Sequence, residues 1–240
     1  MKTVLVTGCA RRLGFGLVQK YLTQGDKVFA VTRAINDDLA ALKTQFPEHL
    51  DVIECGQYNA AGGMKTVDAI GQREVDVVIN NASLYENDER DLDGIADKFQ
   101  RFFEVHMLFP TIINEWFCQR YENSDVVGQK NVINVTDIFV DNPAKPSSHY
   151  CSTKTGLDSL TKSLAKKYAP QVRVNSVQPG PVKFLPSHSD EAIKKVLDET
   201  LLASEGGFEC LIETIDFILN NHYLTGISIK VDGGRSINRG

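Results

Sequence analysis

The chain opens Thr3-Val4-Leu5-Val6-Thr7-Gly8-Cys9-Ala10-Arg11-Arg12-Leu13-Gly14-Phe15-Gly16, and the fold turns on how that stretch is read. Aliphatic and β-branched residues make a short strand, and glycines follow at once. A helical pattern then runs from Arg12 to Gln24, with Gly25 as its stop. A glycine-rich turn between strand and helix lets the backbone approach a pyrophosphate. The helix N-terminus supplies free N–H groups and the positive end of its dipole. The spacing is not G-x-G-x-x-G, since five residues separate Gly8 from Gly14. The glycines therefore carry weight through their place between the strand and the helix.

The alternation continues outward from this turn. Further strands are predicted at Lys27–Val31, Asp51–Glu54, Val75–Asn80, Asn131–Thr136, Gln171–Val177 and Ile227–Val231. Several are almost wholly apolar, as expected of strands covered on both faces. Helical patterns lie between them, including Thr153 to Ala169, stopped by Pro170, and Asp190–Leu202. The order predicts an α/β fold: a single Rossmann-type, doubly wound parallel sheet flanked by helices on both faces. No repeat, low-complexity tract or linker interrupts it, so one domain is expected over residues 1–240.

Bulk properties narrow the function classes. The net charge of −5 has no basic run to offset it, which argues against a nucleic-acid partner. No apolar run approaches the ~20 residues of a membrane span. The first strand leaves no room for a targeting segment, and a cytoplasmic protein is expected. Five cysteines, Cys9, Cys55, Cys118, Cys151 and Cys210, are odd in number and widely spaced, which suits reduced thiols. His49, His149, His188 and His222 have no metal-ligand spacing, so no metal is expected.

Two clusters carry chemistry. The second strand ends in Thr32-Arg33, where an NAD-preferring protein usually has a carboxylate. With Arg11 and Arg12 in the first turn, a cation here favours the extra phosphate of NADPH over NADH. Asp37 and Asp38 fall beyond the strand, in the first turn of the next helix. The second cluster is Tyr150-Cys151-Ser152-Thr153-Lys154, which sets a phenol and an ammonium one helical turn apart. Asp137 closes a strand thirteen residues upstream, and Pro179-Gly180 closes the next. Ligands of open α/β sheets lie at the carboxyl ends of strands, so these residues should border one crevice.

Over nearly its whole length the chain resembles the short-chain dehydrogenase/reductase family. The matching features are Thr7-Gly8, Asn80-Asn81-Ala82, Tyr150 with Lys154, Pro179-Gly180 and Val231-Asp232-Gly233-Gly234. The resemblance implies that Tyr150 is the general acid/base. It implies that Lys154 holds the nicotinamide ribose and lowers the Tyr150 pKa. Cofactor contacts are implied for Gly8, Arg11, Arg12, Leu13, Gly14, Arg33, Gln57, Asn81, Ala82, Pro179, Gly180 and Val182, alongside Tyr150 and Lys154. A homotetramer, built through the long central helices and the C-terminal strand, is also implied.

Departures from the family pattern point to a subgroup. Asp137 stands where most members carry Ser, and Ser83 where they carry Gly. Together with Arg12-Leu13-Gly14 these are similar to the pteridine reductases. That likeness implies reduction of a dihydropterin or dihydrofolate at ring carbon C6, with a proton placed on N5. Arg12, Ser83, Tyr85, Asp137 and Tyr150 would then contact the substrate, with Tyr85 stacked on one ring face. Asp137 has three readings: it donates a proton, it accepts from the pterin amino edge, or it caps a turn. His106 stands where relatives often hold a relay water with Asn, and it either takes over that task or packs. Phe102, Phe103, Trp116 and Phe117 are assigned to core or subunit contact. The competing functions are a reductase of small ketones, keto-acyl groups or sugars, and a catalytically silent NADPH-binding protein.

Overall fold

The computed structural model describes residues 1–127 and 129–238. Among them β1 (Thr3–Thr7), β2 (Lys27–Thr32), β3 (Leu50–Glu54), β4 (Val77–Asn80), β5 (Lys130–Val135), β6 (Val172–Pro179) and β7 (Ser228–Val231) form one sheet. Its order is β3-β2-β1-β4-β5-β6-β7, and every neighbouring pair is parallel. The helices are α1 (Arg12–Thr23), α2 (Asp37–Gln45), α3 (Ala60–Ile70), α4 (Leu92–Phe103), α5 (Phe109–Gln119), α6 (Ser148–Tyr168), α7 (Asp190–Asp198) and α8 (Glu209–Asn220).

Side-chain alternation divides the core between the two faces of the sheet. Val4 and Val6 of β1 pack with Leu17 and Leu22 of α1 and Ile215 of α8, whereas Leu5 points the other way. There it meets a second cluster containing Ile113 and Phe117 of α5 and Leu164 and Tyr168 of α6. Both faces of the strand are buried, which is why β1 reads as an unbroken apolar run. Each such aliphatic side chain contributes about 1.5–3 kcal/mol by leaving water.

The doubly wound parallel architecture is as predicted, with shifted boundaries. β6 runs on to Pro179, β4 starts at Val77, and α7 stops at Asp198. Gly25, at φ +82°, ends α1 as expected. The largest correction is α6, which begins at Ser148 instead of Thr153 and so includes Tyr150 in its first turn.

β1 lies between β2 and β4, so the chain winds outward through β3 and returns on the other side of β1. The carboxyl ends of β1 and β4 flank that reversal, where a crevice opens. One more local feature bears on the site. Pro110 has no N–H to give the carbonyl four residues back, and the helix widens just before it into a π turn over Glu104–Leu108. Phe109 N–H reaches back to the Glu104 carbonyl. His106, within this turn, is buried against Phe102 and Tyr150.

Candidate active site

The turn after β1 is built by close approach. Gly8 sits at φ +70°, and a Cβ there would lie 2.7 Å from the Ala82 Cα. A Cβ on Gly14 would come within 2.2 Å of the Gly8 carbonyl oxygen. Asn81 stitches the turn to the end of β4. Its side-chain amide donates to the carbonyls of Thr7 and Gly8, both at 3.1 Å. The N–H groups of Asn81 and Ala82 donate in turn to the Thr7 hydroxyl. Gly14 and Ala82 thus act through shape, letting the backbone lie close at the mouth of the crevice.

Beside this turn runs a cleft of about 660 Å³, lined by Gly8, Arg11, Arg12, Leu13, Arg33, Gln57, Asn81 and Ser83 among others. Among the described residues its lining holds three arginines and no carboxylate. Glu54, at the end of β3, is engaged with the Ile35 N–H at 3.3 Å. Asp37 and Asp38 lie in the first turn of α2, as expected. Arg33 lies over the Tyr58 ring, 5.7 Å from its centroid. The first turn of α1 leaves N–H groups that no helical carbonyl can satisfy. These features fit a dinucleotide phosphate, and the positive lining fits one carrying an additional phosphate.

A second cleft, of about 740 Å³, shares Arg12, Leu13, Asn81, Ser83 and Phe208 with the first. Its walls include Tyr85, Asp137, Tyr150, Lys154, Pro179, Gly180 and Val182. The expected catalytic trio does meet here. The Tyr150 hydroxyl donates to Asp137 Oδ2 at 2.8 Å, and Lys154 Nζ donates to the Val135 carbonyl at 2.9 Å. The other Asp137 oxygen accepts from the Phe139 N–H at 2.9 Å, capping a short 3₁₀ turn over Ile138–Val140. One carboxylate oxygen therefore fixes the turn while the other holds the phenol.

The electrostatics of this trio correct one expectation. Burial, then the Asp137 charge and hydrogen bond, push the Tyr150 phenol well above its ordinary value, with the Ser83 hydroxyl opposing. Lys154 does not offset this: its bond goes to the Val135 carbonyl, and its Nζ lies 5.9 Å from the Tyr150 ring centroid. Burial likewise raises the Asp137 carboxyl, against the pull of the Phe139 N–H, the Tyr150 hydroxyl, Lys154 and Arg235. Lys154 itself is lowered by burial to about 8, with Asp137 opposing. Both oxygen acids thus hold their protons to higher pH than they would in water.

His106 is packed, with both ring nitrogens bonded to protein groups. Its Nε2 accepts from the Leu84 N–H at 3.2 Å and lies 3.1 Å from the Ser83 hydroxyl. With Nε2 accepting, Nδ1 carries the proton and donates to the Thr153 hydroxyl at 2.9 Å; Thr153 donates onward to the Tyr150 carbonyl. Burial holds the ring well below its usual pKa, so it is neutral. Both nitrogens are committed, and the imidazole locks Ser83 and Leu84 to α6. Tyr85 is half exposed, with its ring edge-on to Tyr150 at 4.9 Å and 81°.

Arg12 was expected from the sequence, but several neighbours in the lining, Lys183 and Phe208 among them, were not. Arg12, at φ +56°, donates to the Lys183 carbonyl at 2.6 Å and lies over the Phe208 ring, so it spans the two clefts. Phe139, Lys195, Glu199 and Arg235 close the far side. Arg235 alone had a pointer, through its place directly after Gly233-Gly234.

Comparison with known proteins bears on the family and the fold. A family model described as short chain dehydrogenase matches residues 2–193. Among curated proteins, the dihydromonapterin reductase of Enterobacter sp. (strain 638) is 25% identical, with 99% of this chain and 98% of that protein covered. The dihydromonapterin reductase of Klebsiella pneumoniae is 24% identical over 98% of this chain and 97% of its own length. That of Escherichia coli K12 is also 24% identical, over 98% and 96%. Among solved structures, a 4-hydroxyisoleucine dehydrogenase complexed with NADH superposes with a TM-score of 0.85 at 19% identity, each chain fully covered. A glucose/ribitol dehydrogenase of Brucella melitensis gives 0.80 at 20% identity, over 98% and 96%. At that identity the solved structures speak for the fold alone.

Proposed function

Because this chain belongs to the short chain dehydrogenase family, we propose that it is an NADPH-dependent reductase of a 7,8-dihydropterin. Dihydromonapterin, dihydrobiopterin and dihydrofolate are the substrates considered. The observation that carries the reading is the carboxyl group of Asp137 bonded to the Tyr150 hydroxyl inside the second cleft. The names of the curated relatives support it.

The glycine turn and the first turn of α1 would hold the pyrophosphate, and Arg33 with Arg11 the 2′-phosphate. Lys154 uses one N–H on the Val135 carbonyl and has two left for ribose hydroxyls. When bound, NADPH supplies the hydride. The protein's task is the proton. Converting the C6=N5 double bond to a single bond adds hydrogen to C6 and leaves a basic N5 that must be protonated. Tyr150, held as a phenol, and Asp137, whose carboxyl has a raised pKa, form a pair able to donate a proton at that edge. Tyr85 offers an aromatic wall to the flat ring, while Ser83 and Arg12 face its polar atoms.

The test is NADPH consumption by the purified protein with the three substrates named and with a keto-acyl thioester. Turnover of at least one dihydropterin, with little on the thioester, is expected. Activity on the thioester alone would reassign the site to carbonyl reduction. Tight NADPH binding with no turnover on any of them would make the chain a cofactor-binding protein.

A further inference from the structure

We propose that Asp88 is a positioning residue that fastens the loop carrying Ser83 and Tyr85 to the first turn of the helix carrying Tyr150 and Lys154. The inference rests on the dihydropterin reading for the meaning of those two walls.

A helix leaves its first N–H groups without partners, and a local side chain usually takes one. In α6 the preceding residue, Ser147, makes no such bond. The cap comes from sixty residues away. Asp88 Oδ2 accepts from the Ser148 N–H at 2.8 Å and the Ser148 hydroxyl at 2.6 Å, and Oδ1 accepts from the His149 N–H at 3.1 Å. The Asp88 N–H donates to the Pro146 carbonyl at 2.8 Å, so backbone and side chain both grip the segment leading into α6. A negative charge is also favourable at this end of the helix dipole.

The loop is held equally firmly on its other side. Lys98 of α4, only 5% exposed, donates to the Asn87 carbonyl at 2.8 Å and to Glu89 at 2.6 Å. Asp88 lies between those two anchors, three residues beyond Tyr85. A local serine or asparagine cap would stabilise α6 as well, yet would leave the loop independent of it. The long-range cap instead makes the wall that faces the pterin ring and the helix that supplies the phenol move as one body. Tyr150 is the third residue of α6, so any fraying of that turn displaces its hydroxyl from Asp137.

The experiment uses the full chain with Asp88→Ala and Asp88→Asn, assayed well below the melting temperature of each. In D88A the KM for a dihydropterin that the unaltered protein turns over should rise about tenfold and kcat should fall about tenfold, the scale of a small misplacement of reacting groups. The KM for NADPH should change much less, because Lys154 lies a turn further along α6 and keeps its bond to the Val135 carbonyl. D88N keeps an acceptor oxygen and should recover most of the loss. Amide hydrogen exchange should accelerate together in residues 83–91 and at the start of α6. A lowered melting temperature with unaltered kinetic constants would reduce Asp88 to a helix cap and overturn the proposal. Faster exchange confined to α6 would do the same. If D88A does not fold, Lys98→Met frees the same loop while leaving α6 capped. It should raise both the dihydropterin KM and exchange in residues 83–91, and no change in either overturns the clamp. Failure of the unaltered protein on every dihydropterin would sink the substrate reading, with the exchange experiment still deciding the clamp.

Discussion

Asp137→Asn isolates the charge and proton of the central pair with minimal change of shape. Asparagine keeps an oxygen for the Phe139 N–H, so the 3₁₀ turn stays capped, and its amide nitrogen can donate to the Tyr150 oxygen. The contact survives with its polarity reversed, and the acid is gone. If the pair supplies the proton for N5, kcat should fall by about 10²–10⁴. That corresponds to about 2.7–5.4 kcal/mol of transition-state stabilisation at 1.36 kcal/mol per tenfold. Stability should move the opposite way. The Asp137 pKa is raised in the folded state, so the fold binds its proton more tightly than the unfolded chain does. The resulting stabilisation is fully present below the unfolded value and is lost as pH rises through the folded one. Above its folded value the native carboxylate therefore carries a burial cost that asparagine does not. D137N should melt no lower than the unaltered protein at a pH above that value, and its melting temperature should lack the rise toward acid that Asp137 contributes. Steady-state NADPH consumption and thermal melts across pH check both limbs. A kcat within about threefold of the original would refute the proton role, since acid–base groups contribute far more. Lost activity accompanied by a collapsed melting temperature would show that the contact is structural.

Two further outcomes follow from the cofactor side. Arg33→Ala should raise the KM for NADPH about ten- to hundredfold while leaving NADH nearly unaffected, as expected for losing a charge-assisted bond to the 2′-phosphate; equal effects on both cofactors would place that phosphate elsewhere. Lys154 titrates at about 8, so kcat/KM for NADPH should decline as pH rises through that value and the ammonium is lost. A profile flat to well above it would separate Lys154 from cofactor binding.

How far the sequence could be read depended on the range of each interaction. The strand, glycine turn and helix from Thr3 to Gly25 are a local device, and the chain folds there as its residues predict. Asp137 was legible because it lies just after the end of β5, and Tyr150 and Lys154 because their spacing sets them one helical turn apart in the helix that follows. The start of α6 was not legible, because its N–H groups are satisfied by Asp88 and not by a neighbour such as Ser147. The wall formed by Lys183 and Phe208 was hidden for the same reason: Arg12 reaches the Lys183 carbonyl across 171 residues.

The sign of the Tyr150 shift shows what motif chemistry omits. A phenol near an ammonium reads as a phenolate in the making, and the spacing of Tyr150 and Lys154 carries only that information. Burial raises the phenol, and the carboxylate in direct contact raises it further, while the ammonium binds a backbone carbonyl instead. A serine in place of Asp137 would bring no negative charge, and the phenol would then lose its proton more easily. The aspartate thus keeps the phenol protonated and sets a second acid beside it; on the proposed reading, N5 takes its proton from this pair once hydride has reached C6. On that reading, the substitution that set this chain apart in sequence is the one that places a carboxyl group against the phenol where the proton is needed.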